Sequence, residues 1–451
     1  MALGKRTKWI IVSAGAALLA FVAVGAYVVW SQVHGTERLR GSRSTVPERA
    51  VAPAAVVKGE ADWSCWRGPT LNGKSRSTGI RTDWAGGVRK LWEVDFLCQG
   101  AGSVTWSAPV VQGNRLVVPG RDEINDLVLC LDPDTGHLLW RGSYEAKAGT
   151  AHGPGARATP CIDDDRVYTF GRSGHLACWR LSDGQRLWLK SVAEVGGQEP
   201  DWGHSASPLV VGDKVVVQAG GSAFAVAYHK LTGEVAWKSP AGPAGYAALS
   251  RLQLGDAPAL LVFHGTGLAM LDPADGRVLG AFPWKTSYHV NACTPAVEGT
   301  TVFITSGYNT GCAALRASRE KGLEVLWKNR AIAAQHSDPI IVDGFVYGYS
   351  GPSTQNGGTF KCVELSTGQE RWRTNEIGWG TALGIDGHLL CLDIRGNLYL
   401  VKPDPRGFRK VTEFKGALGE VKDPAWTIPV AANGKLYLRH MQRLICYSLL
   451  P

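Results

Sequence analysis

Three features are scarce in this chain. No apolar stripe of helical spacing is sustained for three turns in the body of the sequence, which excludes a helical bundle or a solenoid of paired helices. There are ten cysteines, but no Cys-x-x-Cys and no adjacent Cys-Cys, so no local cysteine signature marks a metal or dithiol site. Positive charge is short where it would matter. The net charge is +9, but residues 1–60 hold eight Lys/Arg against three Glu, and the rest carries only about +4, too little for a nucleic-acid footprint.

What is abundant is one repeated phrase. Residues 126–140 read DLVLCLDPDTGHLLW: an apolar β-like run, an acidic or polar residue, a short turn closing on glycine, and an aromatic residue four positions later. The turn glycines are Gly136, Gly184, Gly233, Gly276 and Gly368, placed where a tight reversal needs positive φ. The aromatic anchors are Trp92, Trp140, Trp188, Trp237, Trp327 and Trp372, with worn copies near Phe282 and Phe414. Their period of about 42–49 residues is that of four-stranded propeller blades. Each tryptophan is expected on a face that the next repeat covers.

The chain opens with Lys5, Arg6 and Lys8 and then the uncharged run Trp9 to Trp30, long enough to cross a bilayer as a helix with a tryptophan at each interface. Residues 1–30 are expected to be an N-in signal anchor or transmembrane helix. A cleaved signal peptide ending near Val24-Gly25-Ala26 is the rival reading. Either way the remainder is expected outside the cytoplasm, held at the cell membrane by a single pass. Residues 31–60 read as a flexible linker and 61–451 as the globular head.

Proline-marked inner strands start at Ser107, Ala158, Ala206, Cys293, Ser337 and Thr427, with degenerate starts at Ser250 and Thr381. The last start leaves too few residues for four strands, whereas Lys90-Leu91-Trp92-Glu93-Val94 resembles an outer strand with no blade before it. The expected fold is therefore all-β, an eight-bladed β-propeller closed by this N-terminal strand, with seven blades as the runner-up.

The L-D-P-D-T-G-x-x-x-W repeat, the S-x-P starts and the opening Trp63-Ser64-Cys65-Trp66-Arg67-Gly68-Pro69 with Asn72-Gly73 and Ser75 resemble the pyrroloquinoline-quinone-type (PQQ-like) propeller family over nearly all of residues 61–451. That family contains quinoprotein dehydrogenases and the propeller lipoprotein of outer-membrane assembly, so the resemblance implies the fold and leaves the function open. It also implies that the recurrent tryptophans dock between blades.

Six residues before each turn glycine stand Cys130, Cys178, Ala227, Met270 and Cys362, a position that is usually small in the family, so these cysteines read as packed alanine substitutes. Cys65 with Cys98 is the one pair considered for a disulfide. Ligand candidates follow from the crossings between blades, three or four residues before each blade-start proline: Trp106, Arg157, His204, Asn291, His336 and Trp426, with Trp379 at the matching place in a degenerate blade and Asp338 beside a proline. Tyr288 and His289 lie slightly upstream of another start. Such a ring could hold a planar polar ligand by stacking and charge-assisted hydrogen bonds.

A quinoprotein dehydrogenase, as the resemblance implies, needs a quinone stacked on tryptophan and Ca²⁺ held by carboxylate and amide oxygens. Asn291, Asp338 and Asp393 supply oxygens but stand in no dehydrogenase motif. The sequence reading is therefore a membrane-tethered scaffold that binds or assembles envelope proteins, with no cofactor. The alternatives are a PQQ- and Ca²⁺-dependent dehydrogenase of alcohols or sugars, and a polysaccharide-binding propeller. Expected partners are envelope proteins and the membrane, with a quinone or sugar under the alternatives and no nucleic acid.

Overall fold

The computed structural model describes residue 56 and residues 58–100, 103–149, 152–352 and 358–451. The helix expected over residues 9–30 and most of the 31–60 linker lie outside them. Among the described residues no helix is long and apolar enough to cross a membrane.

Eight sheets, each built on four antiparallel strands and one of them extended by a short fifth, follow one another around a ring. Blades 1 to 7 are consecutive meanders covering 110–145, 161–191, 209–238, 250–283, 296–329, 340–374 and 380–414. Both degenerate starts are real: they give the inner strands Ser250–Leu254 and Gly380–Ile385. In the other six blades the inner strand has three residues and begins directly after its proline, which has no N–H to offer a ladder.

Blade 8 joins the two ends of the chain. Its inner three strands are Val430–Ala432, Lys435–His440 and Arg443–Ser448, and its outer strand is Lys90–Val94, with Trp92 opposite Cys446 and Val94 opposite Leu444. The ring therefore closes by hydrogen bonds, and its last sheet gains an outer strand instead of ending on an unpaired edge.

The repeated phrase has one geometry. In blade 1, Asp132 accepts the Asp134 and Thr135 N–H groups on Oδ1, and Gly136 turns at φ +74°. A bulge then skips Leu139 and swings Trp140 opposite Cys130. The same pairing sets Trp188 across from Cys178, Trp237 from Ala227, Trp327 from Ala314, Trp372 from Cys362 and Trp92 from Cys446. Each of these tryptophans donates its indole N–H to a carbonyl in the outer turn of the next blade, at 2.7–3.2 Å.

The middle residue has a steric reason to be small. In four blades an aromatic ring on the second strand meets the tryptophan across it with centroids 6.0 Å apart: Tyr168–Trp188, Phe303–Trp327, Tyr347–Trp372 and Tyr437–Trp92. A larger side chain at Cys178 or Cys362 would separate the rings.

The two worn anchors are corrected by the register. Met270 lies opposite Gly280 and Leu400 opposite Thr412, so the docking positions of blades 4 and 7 hold glycine and threonine. Phe282 and Phe414 lie two residues further on. At Gly280 the missing side chain admits the next blade's backbone: a Cβ there would stand 2.8 Å from the Gly322 Cα. The bulkier Met270 fits because no tryptophan covers it.

Candidate functional site

The opening motif threads the hole of the ring. Trp63 forms an antiparallel bridge with Val111 of blade 1, and Ser64 O accepts the Ile162 N–H of blade 2 at 2.7 Å. Arg67 donates to Pro339 O at the start of blade 6. Lys74–Ser75 then adds a short parallel strand to the inner edge of blade 7, and Ser75 Oγ donates to Ala431 O of blade 8. An N-terminal segment thus bridges inner strands that its own sequence could not have brought together.

On one side of this plug lies a cavity of about 320 Å³. Trp66 lines it and also the small space of about 10 Å³ behind it, so the indole is the floor between the two. That indole N–H is shared by Thr294 Oγ1 at 2.8 Å and Asp338 Oδ2 at 3.0 Å. Asp338 also pairs with the buried Arg67 at 3.3 Å and accepts the Thr294 N–H.

Of the residues singled out from sequence, Trp106, Arg157, His336 and Trp426 line the cavity. Trp426 is the hub. Its ring centroid lies 5.2 Å from Trp106, 5.6 Å from His152 and 5.3 Å from His336, the two imidazoles edge-on. Trp106 Nε1 donates to His152 O at 2.6 Å. Burial, reinforced by the nearby His152 and Arg157, pushes the His336 pKa down to about 4, so it is neutral at pH 7. Burial and then the field of Arg172 lower Arg157 to about 10, which still leaves it cationic. Arg157 is the one charged side chain among the described lining residues.

The other four candidates serve the framework. His204 is buried against Phe170 at 5.0 Å, with its pKa pushed down to about 4 by burial. Asn291 donates to His264 O and accepts from Ser306 Oγ. Asp338 holds the plug, and Trp379 is fully buried behind His336, with centroids 4.9 Å apart. Asp393 is spent on its own turn, accepting from Arg395 N, Asn397 N and Tyr399 Oη. Cys65 and Cys98, the pair considered from sequence, have different surroundings: Cys98 sits by Thr105 and Arg439, whereas Cys65 packs with Cys161.

Sequence reasoning named Tyr288 but missed Trp202, Tyr246 and Tyr308 of the aromatic wall. Trp202 packs on Tyr246 at 5.8 Å and meets Tyr288 edge-on at 5.6 Å, and Tyr288 in turn reaches Tyr308 at 6.0 Å. Tyr288 and Tyr308 are 63% and 46% exposed, which makes them an aromatic rim over the mouth. Tyr246 precedes a blade with no start proline, so counting back from prolines could not find it. The tryptophan and tyrosine content of the crossings was the available signal.

The lining does not fit calcium. No carboxylate lines the cavity among the described residues, and no three His, Cys, Asp or Glu side chains are grouped to hold a metal. Neutral imidazoles, indoles, Gln335 and hydroxyls can stack on and hydrogen-bond a ligand but offer a hard cation no anionic oxygen.

A family model described as outer membrane protein assembly factor BamB matches residues 82–168 and 125–374. The chain belongs to this PQQ-like propeller family. No curated protein matches it. Among solved structures, BamB from Moraxella catarrhalis shares 14% identity, with a TM-score of 0.57 over 80% of this chain and 97% of that one. A europium-containing methanol dehydrogenase shares 12%, with a TM-score of 0.61 over 84% and 89%. The quinohemoprotein alcohol dehydrogenase of Comamonas testosteroni shares 12%, with a TM-score of 0.60 over 93% and 85%. At these identities the PQQ-like fold is what is held in common.

Proposed function

We propose that this PQQ-like propeller is a protein-binding scaffold of the cell envelope whose contact face is the aromatic mouth of the ring. The observation that carries the reading is the composition of that mouth: exposed Tyr288 and Tyr308, backed by Trp202, surround a concavity whose cation is Arg157. Tyrosine, tryptophan and arginine are the residues on which interface energy concentrates, and a pocket inside such a rim accepts a projecting aromatic or acidic side chain. The family description as an assembly factor supports the same reading. An N-terminal anchor over residues 1–30 would keep the head at high local concentration near membrane complexes.

The test uses the full-length chain in its own cells with a photoreactive phenylalanine at position 288. A discrete cross-linked protein, weakened several-fold by Trp202→Ala, is expected. Absence of any discrete adduct from positions 288 and 308 alike overturns the scaffold. The dehydrogenase reading makes the opposite demand: incubation with PQQ and Ca²⁺ must give quinone absorbance and dye-linked oxidation of alcohols or sugars. Neither is expected of a cavity without carboxylates.

A further inference from the structure

Comparing the blades with one another exposes an oddity in blade 2. The first inner-strand residue after each start proline is Val110, Cys161, Leu209, Ala296, Ile340 and Val430. A thiol occupies this aliphatic position in one blade alone, and that blade runs beside the plug cysteine. The Ile162 N–H to Ser64 O bond of 2.7 Å sets the backbone of residues 161–162 against that of residues 64–65. Cys65 and Cys161 belong to one packed cluster with Leu71 and Leu209, 7% and 4% exposed.

We propose that Cys65 and Cys161 form a disulfide that staples the channel plug to blade 2. Both S–H bonds are lost and one S–S bond forms. The two electrons and two protons pass to a disulfide-bearing thiol oxidoreductase, whose own disulfide becomes a dithiol. The exchange belongs to folding, before the plug seats. Left as a thiol in the docked plug, Cys65 is held protonated by its contact with Cys161 and by burial and is a poor nucleophile, so the oxidation must precede docking. Once formed, the bond lies buried away from solvent reductants.

The position of the staple gives it a consequence. The loop that it closes, from 65 to 161, contains the closing strand Lys90–Val94 and all of blade 1, so the bond backs up the non-covalent seam. It also fixes the residue before Trp66, the floor of the cavity. This inference stands independently of what the mouth binds.

The experiment is peptide mapping of the full-length chain isolated from its own cells, with iodoacetamide added in denaturant and no reductant. Linked peptides containing Cys65 and Cys161 are expected, with two fewer labels than the ten cysteines allow and with Cys98 labelled. Reduction should restore both labels and lower the thermal midpoint of the wild type by several degrees, while leaving that of the Cys65→Ser/Cys161→Ser double variant unmoved. Labels on both Cys65 and Cys161 before reduction, or Cys65 linked to another cysteine, would overturn the staple. Because the decisive mass is read on wild-type protein, a variant that fails to fold does not rescue the idea.

Discussion

Asp338 Oδ2 accepts the indole N–H of Trp66 at 3.0 Å, tying a residue near the start of the head to one that follows it by more than half the chain. The same carboxylate neutralises Arg67, and the side chains of the pair are only 3% and 6% exposed. Asp338→Ala strands a buried guanidinium and should cost about 3–5 kcal/mol. Urea melts would show it, and limited proteolysis should cut within residues 61–75 sooner. Unchanged stability would mean that the plug is not held by this pair.

Gly136 and Gly378 separate the two duties of a turn glycine. Both have positive φ, +74° and +59°, but a Cβ on Gly136 would stand 2.8 Å from Trp92, whereas one on Gly378 meets nothing within 4 Å. Gly378→Ala should cost only backbone strain, about 1 kcal/mol, and Gly136→Ala about 1–3 kcal/mol more through displacement of the indole. Equal losses in chemical denaturation would show that the tryptophan is not seated against the turn.

Cys178 lies between Tyr168 and Trp188, as Ala314 lies between Phe303 and Trp327. Cys178→Ala should therefore cost less than about 1.5 kcal/mol, and Cys178→Leu about 1–3 kcal/mol as it drives the rings apart. A leucine tolerated as well as alanine would refute the steric account.

His204, His264 and His336 each have a folded pKa pushed down to about 4 by burial, against the usual 6.5. Between pH 6.5 and 4 the unfolded chain binds protons that the folded one refuses, so stability is complete above pH 6.5 and is lost as pH falls toward 4. Each histidine contributes a slope of up to about 1.4 kcal/mol per pH unit. Thermal midpoints measured from pH 8 to pH 5 should stay level and then drop, and His204→Leu should flatten the drop by roughly a third. A midpoint independent of pH across this range would show that these imidazoles are solvated.

Much of the ring could be read from the chain because its determinants are local. The Asp-x-x-x-Gly turn of residues 132–136, the bulge and the small residue six before the glycine all act within one blade or on its neighbour, so each intact copy announces itself. The site was legible only in part. Along an extended crossing successive side chains point to opposite sides, so a count in error by one residue selects the wrong face. Thus Ser205 lines the cavity while the nominated His204 does not, and Val290 and Ala292 line it while Asn291 between them turns into the framework.

By itself the sequence determined the order of strands and the closure of the last blade by Lys90–Val94 and favoured eight blades over seven, since periodic spacing and hydrogen-bonding needs leave the chain little choice. The strands Ser250–Leu254 and Gly380–Ile385 decided the count. Only the tertiary structure decided that the Trp63–Pro69 motif plugs the hole, that Trp66 floors a cavity walled by Trp106, Trp202 and Trp426, and that Cys65 meets Cys161. A segment passing through a ring touches inner strands from both halves of the chain at once, and no linear spacing encodes which side chains meet there.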